Sequence, residues 1–98
     1  MAVEPVEAKT ILLTGPITLY EVATVRETLR AALVAGRPLR IDLKDSGPWD
    51  VAGLQLLISC VQSGRNQDQV VRLVNTPRGC TELAERSGLI EWLHSVEA

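Results

Sequence analysis

The chain has 98 residues, which suit one domain, and 46% of them are hydrophobic although only 3% are aromatic. Its formal net charge of −2 is spread without basic runs, which argues against a nucleic-acid footprint and against an acidic membrane surface as partner. Cys60 and Cys80 lack the CxxC spacing of a zinc or redox site, and no segment approaches about 18 apolar residues. We therefore expect a cytoplasmic domain with reduced thiols and no direct membrane insertion.

The first half of the chain predicts two strands and a helix. Residues 3–6 predict a short edge strand, and residues 9–14 predict a firmer one that Gly15-Pro16 closes. Thr18 and Glu21 have the spacing of a capping box, in which the Thr18 hydroxyl accepts from the amide three residues on. The helix that follows has an apolar stripe formed by Val22, Val25, Leu29 and Leu33.

A short strand over residues 39–43 is expected next, and Ser46-Gly47-Pro48 predicts a turn after it. A second helix then runs from about Val51 to Ser63, with Asp50 as its acidic N-cap. Its core stripe comprises Leu54, Leu57, Ile58 and Val61. Two further apolar residues, Leu56 and Cys60, fall outside that stripe. This helix is therefore expected to be apolar on more than one face.

The last third predicts a strand over residues 70–74 and a third helix, with Thr76 as N-cap, Pro77 at its first position and Gly88 past its end. Residues 89–93 form a final apolar segment, either helix or strand, that is expected to cover the core. Strands alternating with helices imply right-handed crossovers and parallel pairing. The fold class is therefore α/β, a mixed but mostly parallel four-stranded sheet with three to four helices packed against it; the N-terminal edge strand is the antiparallel exception.

No motif for catalysis is present. Neither phosphate loop, GxxxxGK[ST] or GxGxxG, occurs, and the only histidine, His94, lies outside any nucleophile motif. Asp42, Asp45 and Asp50 cluster near one strand end, which could suggest magnesium. We interpret them instead as a solvated strand end plus an N-cap, because magnesium usually comes with phosphates to share. We therefore predict no enzyme activity, no metal and no cofactor.

Three ordered segments resemble the STAS domain family, which is named after sulfate transporters and anti-sigma factor antagonists. They are Leu13-Thr14-Gly15-Pro16-Ile17-Thr18, then Asp42-Leu43 leading without a gap to Trp49-Asp50-Val51-Ala52-Gly53-Leu54, and finally Ser87-Gly88-Leu89. The resemblance spans roughly residues 9–93 of a single domain, residues 1–98. It implies a small mixed sheet with packed helices and a role in protein–protein recognition.

In bacterial members that antagonise anti-sigma factors, the Ser or Thr after the motif aspartate is phosphorylated, which weakens partner binding. A helix N-terminus tolerates the added dianion, which still changes the charge offered to a partner. Here Val51 is the phosphosite equivalent and Ala52 follows it, so this phosphorylation is chemically impossible. Thr18 stands where many antagonists carry an acid, which also puts contacts to a kinase-bound nucleotide in doubt.

The partner-binding surface is expected at the strand-to-helix turn. Val51 beside Leu56 predicts a small apolar patch suited to constant engagement, the alternative being that Val51 folds back on the loop. Trp49 matches a buried position of the family and is interpreted as core more than as a binding hot spot. The expected contact residues are Thr18, Ser46, Gly47, Pro48, Trp49, Asp50, Val51, Ala52, Gln55 and Leu56.

Two functions compete for this surface. The leading interpretation is a non-catalytic interaction module resembling an anti-sigma factor antagonist, bound to an anti-sigma kinase or to a chemotaxis or two-component signalling protein. The alternative is an accessory STAS subunit of an ABC-type lipid transporter that binds the ATPase, because residues 50–54 differ from that subunit's Asp-Thr-Ala-Gly-Leu only at the hydroxyl. A nucleotide-binding or phosphotransfer enzyme ranks far lower. A monomer or weak homodimer is expected, and modification of Ser46 or Thr76 stays open.

Overall fold

Strands and helices alternate along the chain in the computed structural model, which describes residues 8–34 and 37–97. Alternation of this kind follows from apolar residues that recur at strand spacing and then at helix spacing. The elements are β1 (Lys9–Ile17), α1 (Val22–Ala32), β2 (Leu39–Trp49), α2 (Val51–Arg65), β3 (Val71–Val74), α3 (Arg78–Arg86) and α4 (Ile90–Val96).

The described strands form one sheet in the order β1-β2-β3, and both pairings are parallel. Ile11 lies opposite Ile41, which lies opposite Leu73, so one row of side chains crosses the sheet. The α/β class and the parallel pairing are confirmed. The fourth strand expected over residues 3–6, and with it the antiparallel exception, lies outside the described residues.

The core is aliphatic, as the near absence of aromatic residues requires. β2 contributes Leu39, Ile41 and Leu43, all fully buried, and α1 adds Leu29 and Ala32 to the same core. Each fully buried side chain of this size contributes about 1.5–3 kcal/mol through removal of apolar surface from water. The other members of the predicted α1 stripe, Val22, Val25 and Leu33, are partly buried against the same core. The predicted stripe is therefore largely confirmed.

β2 continues well beyond its predicted end, and the turn expected at residues 46–48 is wrong. Its register against β1 shifts twice, between Leu12 and Thr14 and again between Gly15 and Ile17. At each shift β2 carries one residue more than β1, which is the signature of a β-bulge. Gly47 accommodates the second bulge with a φ of 135°. Gly and Pro indicate a bulge as readily as a turn, so sequence alone could not separate the two.

α2 is apolar on two faces, as predicted. Leu54, Leu57 and Val61 are buried toward the sheet-side core, although Ile58 is only half-buried and the helix extends to Arg65. The two residues outside that stripe are also buried, and they line a groove shared with α1: Leu56 and Cys60.

The C-terminal region closes the core. The final apolar segment is α4, whose Leu93 and Val96 are buried. α3 begins one residue later than predicted, because Pro77 rather than Thr76 is its N-cap. The Thr76 hydroxyl is buried with no hydrogen-bond partner among the described residues. Gly88 follows the C-cap of α3 with a φ of 73°, the left-handed conformation predicted for a glycine past a helix end.

Candidate functional site

Asp50 connects two parts of the chain at one end of the molecule. Its backbone is extended, and its Oδ1 accepts a 3.1 Å hydrogen bond from the Gly53 N–H, which confirms it as the N-cap of α2. Its Oδ2 accepts a 2.9 Å hydrogen bond from the Leu19 N–H. The Leu19 N–H is the main cause, and the Gly53 and Ala52 N–H groups lesser causes, of an Asp50 pKa below its ordinary value. The carboxylate therefore stays ionised while it fastens the β1–α1 turn to the start of α2.

The β1–α1 turn is closed by Thr18 and Glu21. The Glu21 carboxylate accepts hydrogen bonds from the Thr18 N–H at 2.9 Å and from its hydroxyl at 2.5 Å. The predicted capping bond from the Glu21 N–H to the Thr18 hydroxyl is wrong, because that N–H donates to the Thr18 carbonyl and α1 begins only at Val22. Both polar side chains of the turn are thus engaged within the chain.

Three large apolar side chains project at this end. Leu19 is 67% exposed, Tyr20 is 91% exposed and Val51 is 46% exposed. The Leu19–Asp50 bond joins the segments that carry them, so we call these three residues the tip patch. Val51 is thus about half exposed, which favours the expected apolar patch over a side chain that folds back on the loop. The sequence does not predict Leu19 and Tyr20 as contact residues, because no local signal tells an apolar residue that stays exposed before a helix from one that packs into the core.

Leu56 does not belong to the tip patch. It is 6% exposed, and its side chain lies toward α1. Five residues at 3.6 per turn place it far around α2 from Val51, so the two cannot share one face. The predicted exposed pair of Val51 and Leu56 is therefore wrong. Two other expected contact residues are nearer the surface, Ala52 being half-buried and Gln55 exposed.

Trp49 is held at the end of β2. Its ring is half-buried against the core, which supports the interpretation as a core residue, and its Nε1 donates a 3.0 Å hydrogen bond to the Ser46 Oγ. The Ser46 hydroxyl in turn donates to the Leu43 carbonyl at 2.7 Å. Gly47 and Pro48 lie between these two residues, half-buried and exposed respectively. Ser46 therefore holds the bulge together, and phosphorylation of its hydroxyl would remove the hydrogen that it donates to the Leu43 carbonyl.

The acidic residues near this end have separate partners. Asp42 accepts from the Lys44 N–H at 3.0 Å and from the Asn75 amide at 3.2 Å, whereas Asp50 caps α2. Across residues 8–34 and 37–97, no three His, Cys, Asp or Glu side chains are grouped so that they could hold a metal ion. Within the same ranges, none of the helices has both the length and the apolar character needed to span a bilayer.

These features are those of a STAS domain. A family model described as "Mlab, STAS domain" matches residues 2–94, and the chain belongs to the STAS domain family. The resemblance of the three ordered motifs is thereby confirmed. The sequence matches none of the curated proteins.

Solved structures support the same fold. A sulfate transporter family protein from Wolinella succinogenes superposes with a TM-score of 0.70 at 18% identity, covering 94% of this chain and 75% of that one. The STAS domain of a SulP transporter from Vibrio cholerae superposes with a TM-score of 0.67 at 18% identity, covering 97% and 75%. At this identity the likeness establishes the fold, and function has to be argued from the site.

Proposed function

We propose that this STAS domain is a non-catalytic docking module that binds a protein partner through the tip patch. The observation that carries the proposal is the Leu19–Asp50 hydrogen bond, which joins the two segments that bear the exposed apolar side chains. Such an arrangement is ordered before binding, so less conformational entropy is lost when a partner docks. Exposed Tyr side chains are also frequent energetic centres of protein interfaces.

The electrostatics of the tip support the same proposal. The Asp50 and Glu21 carboxylates lie beside the patch, but each accepts hydrogen bonds from N–H groups of the chain. Their charges are thus partly compensated before any partner arrives. An apolar centre with satisfied polar groups around it is the usual composition of a protein interface.

Engagement at this tip is proposed to be constant. Val51 occupies the first residue of α2 and Ala52 the second, and neither carries a hydroxyl for a kinase to modify. The partner exchange of an anti-sigma factor antagonist depends on that hydroxyl. Its absence favours a partner that stays bound, such as a subunit of a permanent assembly.

For the class of partner, we favour the ATPase of a membrane transporter over a signalling kinase. Two of the solved neighbours are described as a sulfate transporter family protein and as the STAS domain of a SulP transporter, which supports a transporter as the partner. The missing hydroxyl also fits an accessory subunit better than a switch. The anti-sigma factor or two-component partner remains the competing proposal. The two are distinguished by which protein co-purifies with the chain.

The test is a pull-down from native lysate with matched variants. Val51→Asp should keep the fold, because an acid is favourable in the first turn of a helix, yet it places a charge in the patch. Val70→Asp is the control, since Val70 is 54% exposed and precedes β3, away from the tip. We expect a transporter ATPase to co-purify with the native chain and with Val70→Asp, and to be lost with Val51→Asp. Equal retention by both variants would exclude the tip as the interface.

A further inference from the structure

We propose that the groove between α1 and α2 is a second docking surface, which accepts one aliphatic side chain and a neighbouring carboxylate from a helical segment of a partner protein. The groove is separate from the tip patch. At a rise of 1.5 Å per residue, Ser59 lies about 12 Å along α2 from Val51. The inference therefore goes beyond the proposed function and does not depend on it.

The groove has an apolar floor. Its floor consists of four residues, one of α1, the C-cap residue that follows α1, and two of α2 one turn apart: Leu29, Leu33, Leu56 and Cys60. Three of them are buried and Leu33 is half-buried. Leu56 and Cys60 are four residues apart on α2, so on that side the floor is continuous for a little more than one turn.

The rim of the groove is polar and repeats at the same spacing. Arg26 and Arg30 line the α1 side, and Ser59 and Ser63 line the α2 side. All four residues are exposed. The rim thus offers guanidinium and hydroxyl donors above an apolar floor, which suits an apolar group flanked by a hydrogen-bond acceptor.

The charge of the rim selects an anionic partner. Two arginines one turn apart on the same helix repel each other. Arg30 approaches Glu27 at 3.8 Å, with both side chains about 70% exposed, whereas Arg26 forms no ion pair within the described part of the chain. This local positive charge occurs in a chain whose net charge is −2. A carboxylate between the two guanidinium groups would remove their repulsion, and Arg binds carboxylates in a bidentate geometry.

The size of the groove favours a side chain over a small molecule. Its volume is about 190 Å³. Binding sites for small molecules usually span about 300–1,000 Å³. A groove of this volume has room for one aliphatic side chain but not for a long acyl chain. An amphipathic helix that inserts one residue and places an acid one turn away fits both the size and the charge.

The test uses the full chain, labelled with ¹⁵N, and a synthetic helical peptide with Leu and Glu four residues apart on one face. We expect amide shifts at Arg26, Arg30, Ser59 and Ser63 that saturate during the titration. Arg26→Glu/Arg30→Glu should weaken peptide binding at least tenfold, and Arg86→Glu, an exposed change on α3, should leave it unchanged. The same peptide with Gln in place of Glu should bind as weakly as the charge-reversed chain does.

Three outcomes would overturn the proposal. Shifts that are absent from the groove, or that centre on the tip patch, would place the peptide elsewhere. Equal binding of the Glu and Gln peptides would remove the role of the arginines. Octanoate that saturates the same four amides as strongly as the peptide would make the groove a site for small acids rather than for a protein segment.

Discussion

The backbone N–H of Leu19 donates a 2.9 Å hydrogen bond to Asp50 Oδ2 across 31 residues of sequence. The other oxygen of the same carboxylate accepts from the Gly53 N–H and caps α2. A single side chain thus determines both where α2 begins and where the β1–α1 turn lies against it. The tip patch exists because this carboxylate performs both roles.

Replacing Asp50 should lower stability more than replacing another exposed aspartate. Asp50→Ala removes the N-cap of α2 and the bond to Leu19, so we expect the melting temperature to fall by roughly 5 °C. Asp45→Ala is the matched control, because Asp45 is exposed and makes none of these bonds. Thermal unfolding followed by circular dichroism measures both. Similar losses in the two variants would show that the Asp50 bonds add nothing.

Stability should decline in acid because of two carboxyl groups. The Leu19 N–H lowers the pKa of Asp50, and the Lys44 N–H lowers that of Asp42. A pKa that is lower in the folded chain contributes stability above the ordinary value of 3.8, and this contribution is lost as the pH falls through the lowered pKa. Urea midpoints measured from pH 7 to pH 2 should therefore drop mainly below about pH 4. Asp42→Asn/Asp50→Asn should flatten that drop, and an unchanged slope would contradict the assignment.

Gly53 should not tolerate a side chain, although it lies within a helix. A Cβ there would overlap the Ile17 carbonyl oxygen and approach the Ile17 Cγ2 at 2.9 Å and the Trp49 Cε3 at 3.0 Å. Because one of these neighbours is backbone, Gly53→Ala should destabilise the fold by about 1–3 kcal/mol. Urea unfolding gives the difference.

Gly79 provides the matched control for this prediction. It lies in α3, and apart from its chain neighbours and the backbone of its own helix no atom lies within 4 Å of the position that a Cβ would take there. Gly79→Ala should therefore stabilise the fold by up to about 1 kcal/mol through helix propensity alone. If Gly53→Ala lowers the free energy of unfolding and Gly79→Ala raises it, then the close approach of β1 to α2, rather than helix propensity, requires glycine at position 53. A neutral Gly53→Ala would show that β1 can shift.

The two thiols should react slowly in the folded protein. Burial raises the pKa of Cys60 to about 11, and burial together with the charge of Glu97 raises that of Cys80 to about 11. At pH 8 only about one thiol in a thousand is then ionised, and the thiolate is the reactive form. Iodoacetamide labelling followed by mass spectrometry should be slow in buffer and fast in urea. Rapid labelling of either cysteine in buffer would indicate that its side chain is accessible.

The order of elements and most of the core could be predicted from local patterns. Helical spacing of apolar residues predicts that Leu29 is buried in α1, and strand alternation predicts that Ile41 is buried in β2. Both patterns depend only on neighbours within a few residues. Asp50 as N-cap and Gly88 past the end of α3 are local signals of the same kind. The family motifs also lie in continuous segments, so the sequence indicated the STAS fold correctly.

The candidate sites depended on contacts between distant segments. The bulges that carry β2 to Trp49 follow from its register against β1, which no residue of β2 specifies alone. Leu56 lies inward because α1 packs beside it, and Leu19 reaches the tip because Asp50 accepts its N–H. The amino-acid sequence by itself determined most of the segments that become strands and helices, because those preferences are local, although the extension of β2 to Trp49 depended on its pairing with β1. Only the tertiary structure decided which apolar side chains remain exposed, because exposure depends on what packs against each of them.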